Sequence, residues 1–427
     1  MTLEDLPAEL RLQILLSFSD VADLQAVVHA SPVFHRQYLL DRQNVFGRVL
    51  ETTMAGTFVE AYAVHTSTRL AKLDGELSEE AIEQFLDKYR VLRSDPGAAL
   101  RQCALDDLLG MAAYYRDVIQ PLVEYYSALF LSKLDSTGSS PRARILSRTE
   151  RVRFLRAFYR FQLYTNLFCS SGTLYALTQH FHDMYILTTL FDIYKPWEAE
   201  EIACVSIWVK ARYQQAFEAI RWHVYRESPG HDHWEWRDAP PGVYPREGVA
   251  GVSPLSIAIA DHQTDQLRLK GVHEKNPMLG GLKLFRQILE TINFDELVQL
   301  MQETILWRRG YSLGQCLSSD AQIYRRFAAA ESSEHDRAEI EKERMVFTGD
   351  EADAPPLAWV LLWREAYGNW FGEVVPPSLH DWGYIFWDEL RLVETGAKDA
   401  VLRDRWPEDD DPRERPPRLL ENLNIVS

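Results

Sequence analysis

Cysteine is scarce in this chain of 427 residues: Cys103, Cys169, Cys204 and Cys316 lie far apart, and no pair has C-x-x-C spacing. That pattern excludes a disulfide framework and a locally spaced zinc knuckle. Long apolar runs are missing as well. No stretch approaches the ~18–20 apolar residues that a membrane span needs. The first residues, Met1-Thr2-Leu3-Glu4-Asp5, show neither the positive leader nor the apolar stretch of a secretory signal. The expected compartment is therefore reducing, the cytoplasm or the nucleus. Positive charge is in deficit, with 46 Lys and Arg against 63 Asp and Glu and a net charge of −17. A surface that acidic repels phosphate backbones, so nucleic acid and anionic membranes are not expected partners. The densest basic cluster, Arg142, Arg144, Arg148, Arg151, Arg153 and Arg156, reads as a solvated helix face with its leader.

Chemical signatures are equally sparse. The chain has no G-x-G-x-x-G, P-loop, G-x-S-x-G or H-E-x-x-H pattern. No catalytic residue, cofactor or metal is expected. One loop, His231-Asp232-His233-Trp234-Glu235, gathers imidazoles and carboxylates, but adjacent ligands rarely complete a site, and a solvated polar loop is the preferred reading. His180 and His182 stand two apart, which points them away from each other on a helix.

What is present is apolar mass: hydrophobic residues make up 46% and aromatics 12%, enough for a large packed core. Most of the chain carries helical periodicity. Helices are expected over 50–70, 78–93, 98–132 with a kink or break at Pro121, 148–168, 196–226, 281–308, 320–345 and 357–371. Ser147-Arg148-Thr149-Glu150 is a capping box, and Pro196 sits in a first turn. Strand alternation is rare, and no fixed-period repeat is discernible, neither leucine-rich nor propeller-like. The fold class expected is all-α, with irregular stretches at 134–144 and 229–256 and a disordered acidic, proline-rich tail over 406–427.

The N-terminal segment differs from the rest. Asp5 and Pro7 suit the start of a first helix, along which Leu6, Leu10, Ile14 and Phe18 recur at i+4. Asp20 suits the N-cap of a second helix carrying Leu24, Val27 and Val28, and Ser31-Pro32 opens a third with Val33, Phe34 and Tyr38. Three short helices cannot bury that many large apolar side chains among themselves, so a partner surface follows, which is either another protein or the rest of this chain; in the second case Leu6 to Phe34 is the first helical hairpin of a large helical domain.

The pattern Leu6-Pro7-x-Glu9-Leu10-x-x-x-Ile14-Leu15, then Asp20-x-x-Asp23-Leu24, then Ala30-Ser31-x-x-Phe34, resembles the F-box motif in its filamentous-fungal form. The resemblance covers about a tenth of the chain. It implies a three-helix module over 1–45 that clasps a Skp-type adaptor and, through it, a cullin. Carried over position by position, the adaptor contacts would be Leu6, Pro7, Leu10, Ile14, Leu15 and Leu24, helped by Val27 and Phe34. The implied function is that of a non-catalytic substrate receptor of a ubiquitin ligase, with an all-α body over 46–405 holding an unknown protein target. A non-ligase scaffold and an all-α enzyme with a fortuitous N-terminal motif remain open beside it.

The most distinctive part of the body is Leu379–Leu390, LHDWGYIFWDEL, behind the rigid pair Pro376-Pro377. Its W-G-Y-x-x-W-D core is similar to a segment near the C-terminal end of fungal F-box-like proteins. Read as a helix, it puts Trp382, Ile385, Phe386, Leu390 and Val393 on one face and Tyr384, Trp387 and Arg391 on another. A buried closing helix is the preferred reading. Trp382, Tyr384 and Trp387 as an aromatic surface for a target peptide is the alternative.

Overall fold

The computed structural model describes residues 2–73, 77–134, 145–169, 179–224, 281–305, 316–318, 321–322, 325, 333–341, 343–407 and 411–412. The architecture is all-α. Among the described residues the only extended pairing is one antiparallel bridge, Arg344 with Ala366. No described helix is long and apolar enough to cross a membrane.

Three short helices open the chain: α1 (Ala8–Leu16), α2 (Val21–Ala30) and α3 (Pro32–Leu40). The caps read from the sequence hold for the second and third. Asp20 accepts from the Ala22 amide at 2.6 Å, and Ser31 Oγ accepts from the Phe34 amide at 3.3 Å. Asp5 does something else. It accepts from the Thr2 amide at 2.7 Å and closes a separate 3-10 turn, Leu3–Asp5, while Pro7 takes the N-cap position of α1. A fourth helix, α4 (Arg42–Thr53), packs on α1, α2 and α3, and the expected boundary at 45 falls inside it. Thr53 Oγ1 accepts from the Val21 amide at 3.2 Å, fastening the end of α4 to the start of α2.

The helix expected over 50–70 is two helices, α4 and α5 (Phe58–Leu73). Ala55 and Gly56 have φ of 53° and 97°, and two left-handed residues in a row turn the chain out of the helix. Next come α6 (Glu79–Ser94), α7 (Pro96–Gln102), α8 (Leu105–Tyr114) and α9 (Gln120–Leu134). Pro121 has no N–H to give the carbonyl four residues back, and a π turn at Tyr115–Ile119 directly before it absorbs the misfit.

The centre is α10 (Arg148–Tyr164), opened by the expected capping box: Ser147 Oγ accepts from the Glu150 amide at 3.1 Å and Glu150 from the Ser147 amide at 2.9 Å. It packs against α5, α9 and the long α12 (Pro196–Val224), and from Val152 to Tyr164 every side chain is buried. The aromatic core lies beside it. Phe154 stacks on Phe386 at 4.2 Å, and Tyr126 meets Phe154 and Phe158 edge-on at 5.7 and 5.6 Å. Such pairs add about 0.5–1.5 kcal/mol each beyond their burial.

The other helices are α11 (Gln179–Thr189), α13 (Gly281–Glu290), α14 (Phe294–Ile305), α15 (Glu334–Ile340), α16 (Leu357–Leu362), α17 (Pro377–His380), α18 (Glu389–Glu394) and α19 (Ala397–Asp404). The helix expected over 281–308 breaks at 291–293, where Asn293 caps α14 by accepting from the Asp295 amide at 2.9 Å. The one expected over 357–371 ends at Leu362, because Arg364 and Glu365 turn left-handed at φ 54° and 61°. Trp406, the first residue of the expected tail, is held: its ring lies 4.8 Å from that of Trp363, and its carbonyl accepts from Arg364 at 2.6 Å. Residues 413–427, the loop 229–256 with His231, Asp232, His233, Trp234 and Glu235, most of 320–332 and most of the stretch 134–144 lie outside the described residues. The side chains of His180 and His182 do too.

Candidate functional site

The N-terminal helices divide the expected contact residues into two sets. Leu15, Leu24 and Phe34, implied as adaptor contacts, are buried in one core with the body, and Leu24 also lines a cleft facing α8; in this fold they are closed to a partner. Leu6, Ile14 and Val27 are half-buried, and Pro7 is exposed. Leu10 is 44% exposed and Leu3, which the motif did not single out, 64%. The end of α3 leaves Leu39 and Leu40 exposed as well. Helix α1 thus packs most of its apolar residues on its neighbours and leaves Leu10 open, with Leu3 exposed in the turn before it. The 3-10 turn carrying Leu3 is tied down, since Ser31 Oγ donates to the Glu4 carboxylate and Arg11 donates to the Glu4 carbonyl at 3.0 Å.

The aromatic stretch at 382–387 is not a surface. Tyr384, Ile385, Phe386 and Trp387 have no exposure, and only Trp382 is half-exposed. Nor is it one helix. Gly383 at φ 62° starts a 3-10 turn, Tyr384–Phe386, and Trp387 is extended before α18. With the helical period broken, the ring faces expected from it dissolve: Leu390 and Val393 point outward, and Trp387 packs against Phe154 at 5.4 Å and donates from Nε1 to the Trp382 carbonyl at 2.9 Å. Tyr384 and Trp387 are core residues, which corrects the alternative of an aromatic peptide platform.

The basic cluster also changes meaning. Arg153 and Arg156, read as part of a solvated face, are buried, and Arg160 joins them one turn on. Arg160 donates to Glu198 at 2.8 Å and to Glu60 at 2.9 Å; Arg156 pairs twice with Glu201; Arg153 donates to Asp388 at 2.9 Å. Burial alone would raise Glu198, but Arg160, Arg156 and Arg93 outweigh it and hold this carboxyl well below its usual range. The guanidinium of Arg160 stays charged in turn, because Glu198 and Glu60 overcome its desolvation. These pairs bolt α5, α10, α12 and the C-terminal segment together. Every partner is remote in sequence, and the local hint was only the run Glu198-Ala199-Glu200-Glu201 at the head of a long apolar helix.

That helix carries a second polar group the sequence spacing did not reveal. Glu200 and Cys204, one turn apart on α12, meet His380 at the end of α17, and all three are buried. Their ligating atoms lie within 4.8 Å of one another. Glu200 Oε1 sits 2.7 Å from His380 Nε2 and 3.6 Å from Cys204 Sγ. Glu200 Oε2 accepts from the Gly372 amide at 2.6 Å. Burial, followed by the charge of Glu200, pushes the Cys204 thiol well above its ordinary range.

A cleft of about 570 Å³ lies between the N-terminal helices and α8, lined by Leu24, Val28, Tyr38, Phe46, Leu109 and Arg116 among others. In the comparisons with known proteins, no family model matches the chain, no curated protein matches it in sequence, and no solved structure matches its fold.

Proposed function

We propose that this chain is a non-catalytic subunit that docks through its N-terminal helices on a Skp-type adaptor and presents a protein target from its helical body to a cullin-based ubiquitin ligase. The observation that carries the reading is the divided face of α1: Leu15 is fully buried, while Leu10 remains 44% exposed beside Pro7 and the tied-down Leu3. An exposed leucine on a firm helix, with a second in the tied-down turn before it, suits the apolar face of a partner helix. Fully burying an exposed leucine contributes about 1.5–3 kcal/mol; Leu3 and Leu10 would gain part of that on docking, and the half-buried Leu6 and Ile14 less. Catalysis would be positional, the chain holding an acceptor lysine near the ubiquitin-charged enzyme.

The test is co-elution of the purified full-length chain with a recombinant Skp-type adaptor, followed by addition of the cullin. Binding to the adaptor and recruitment of the cullin together support the ligase reading. Binding to the adaptor with the cullin shut out leaves the scaffold reading. No binding to the adaptor removes both.

A further inference from the structure

We propose that Glu200, Cys204 and His380 form a structural site for a divalent metal ion of the zinc type, which pins the C-terminal segment to α12. The site is independent of the docking reading.

The donor set is the first ground. A carboxylate, a thiol and an imidazole converge on one point in the interior, all within 4.8 Å. In a tetrahedral zinc site the oxygen and sulfur ligands stand about 3.6 Å apart and the oxygen and nitrogen ligands about 3.4 Å apart. The separation of 3.6 Å between Glu200 Oε1 and Cys204 Sγ fits as it stands. His380 Nε2, at 2.7 Å from the same oxygen, has to withdraw by a fraction of an ångström. Both neighbours address Oε1, while Oε2 is held by the Gly372 amide. The carboxylate is thus oriented from behind, and Oε1, now contacted by His380 and Cys204, is the oxygen that an ion would take, as outer hydrogen bonds commonly orient metal ligands.

Charge is the second ground. Glu200 has no exposure at all. A buried carboxylate is costly unless compensated; here it faces the Gly372 amide, the Cys204 thiol and His380, which balances its charge only when protonated. One divalent cation with a carboxylate, a thiolate and a neutral imidazole makes a unit of zero net charge. Binding releases the Cys204 thiol proton, and any second proton on His380, to solvent.

Tyr384 is buried in the same pocket, its hydroxyl beside Glu200.

The experiment uses the full chain, expressed with zinc and purified without chelator, with metal content measured by mass spectrometry. In parallel the chain is refolded with Co²⁺, whose thiolate complexes absorb in the near ultraviolet. The expected result is one metal ion per chain, a cobalt–thiolate band, and X-ray absorption showing a single sulfur among nitrogen and oxygen neighbours. Cys204→Ser and His380→Gln should each lower retained metal at least tenfold. Should either variant fold poorly, the wild-type absorption data decide, because a site with two or more sulfurs, or none, contradicts this ligand set. Metal-free protein from both routes, or full metal retention in Cys204→Ser, overturns the proposal and leaves a buried Glu–His pair.

Discussion

Arg156 grips Glu201 with both edges of its guanidinium, Nε to Oε2 at 2.6 Å and Nη2 to Oε1 at 2.7 Å, where neither side chain is open to water. The pair joins α10 to α12, and a third bond, from Arg156 Nη1 to the Ala352 carbonyl at 2.6 Å, adds the segment before α16. Two charges taken out of water in this way hold each other, and removing one strands the other. Arg156→Met is therefore expected to destabilise by roughly 3–5 kcal/mol. The double variant Arg156→Leu with Glu201→Leu should lose less than that single change. Chemical denaturation of the three proteins measures the difference, and equal losses for single and double variants would contradict it.

Much of this framework was legible beforehand, and the illegible part has a common cause. Ser147, Asp20, Ser31 and Pro196 marked helix starts because capping is local chemistry, settled within four residues. Breaks such as Ala55-Gly56 and Arg364-Glu365 were missed because left-handed backbone at Ala, Arg or Glu has no strong local mark. The arginines at 153, 156 and 160 have the spacing of an apolar stripe, but their charge suggested solvent; the carboxylates that neutralise them come from other helices. His380 reaches Glu200 and Cys204 across 180 residues of chain, a distance no spacing rule spans. The pattern at the N-terminus marks apolar positions, Leu10, Ile14, Leu15, Leu24, Val27 and Phe34 on helices and Leu6 and Pro7 in the turn before the first, but cannot separate buried from exposed ones.

Acid titration should expose two partly buried aspartates. Burial first, then the nearby Asp336, pushes Asp192 up to about 6 against the pull of Arg325, whose Nη1 lies 3.3 Å away, and of Arg90. Asp388 is likewise pushed up to about 6 by burial, with Asp350 and Glu150 adding to it and Ser147 and Arg153 opposing. In the unfolded chain an aspartate titrates at about 3.9. Between those values the native state holds protons that the unfolded state has lost, so stability falls as pH rises through the window from about 4 to about 6 and is level above it. Glu198 acts in the opposite sense and lower down. Its depressed carboxyl contributes stability above its unfolded value, lost as pH falls further. Unfolding curves between those pH values should show a shallower slope for Asp192→Asn than for wild type; identical slopes would mean Asp192 is ordinary.

Trp387 should behave as a core residue. It is fully buried against Phe154, with Arg391 over its ring at 5.3 Å. Trp387→Ala is expected to cost about 3–5 kcal/mol, read as a lower melting temperature. An unchanged melting temperature would restore the surface reading of this segment.

Gly372 has a comparable burden on its backbone. Its φ is +72°, and an added Cβ would stand 2.7 Å from the Leu317 carbonyl oxygen, while its amide holds Glu200. Left-handed backbone alone costs an alanine about 1–2 kcal/mol, and the clash adds to it. Gly372→Ala should therefore lose about 2 kcal/mol or more in a denaturant titration, whereas a change under about 0.5 kcal/mol, ordinary for surface positions, would show that the backbone there relaxes freely.

The docking claim is tested most directly by titrating the full-length chain with a recombinant Skp-type adaptor, beside Leu10→Ala with Ile14→Ala and beside Leu15→Ala. Central apolar contacts can each cost about 2 kcal/mol or more when truncated. The expected result is tight binding by wild type, a loss of at least a hundredfold in the outer double variant with its circular dichroism retained, and, for Leu15→Ala, a lowered melting temperature. Wild-type affinity in the double variant, or no binding by wild type, would contradict the account.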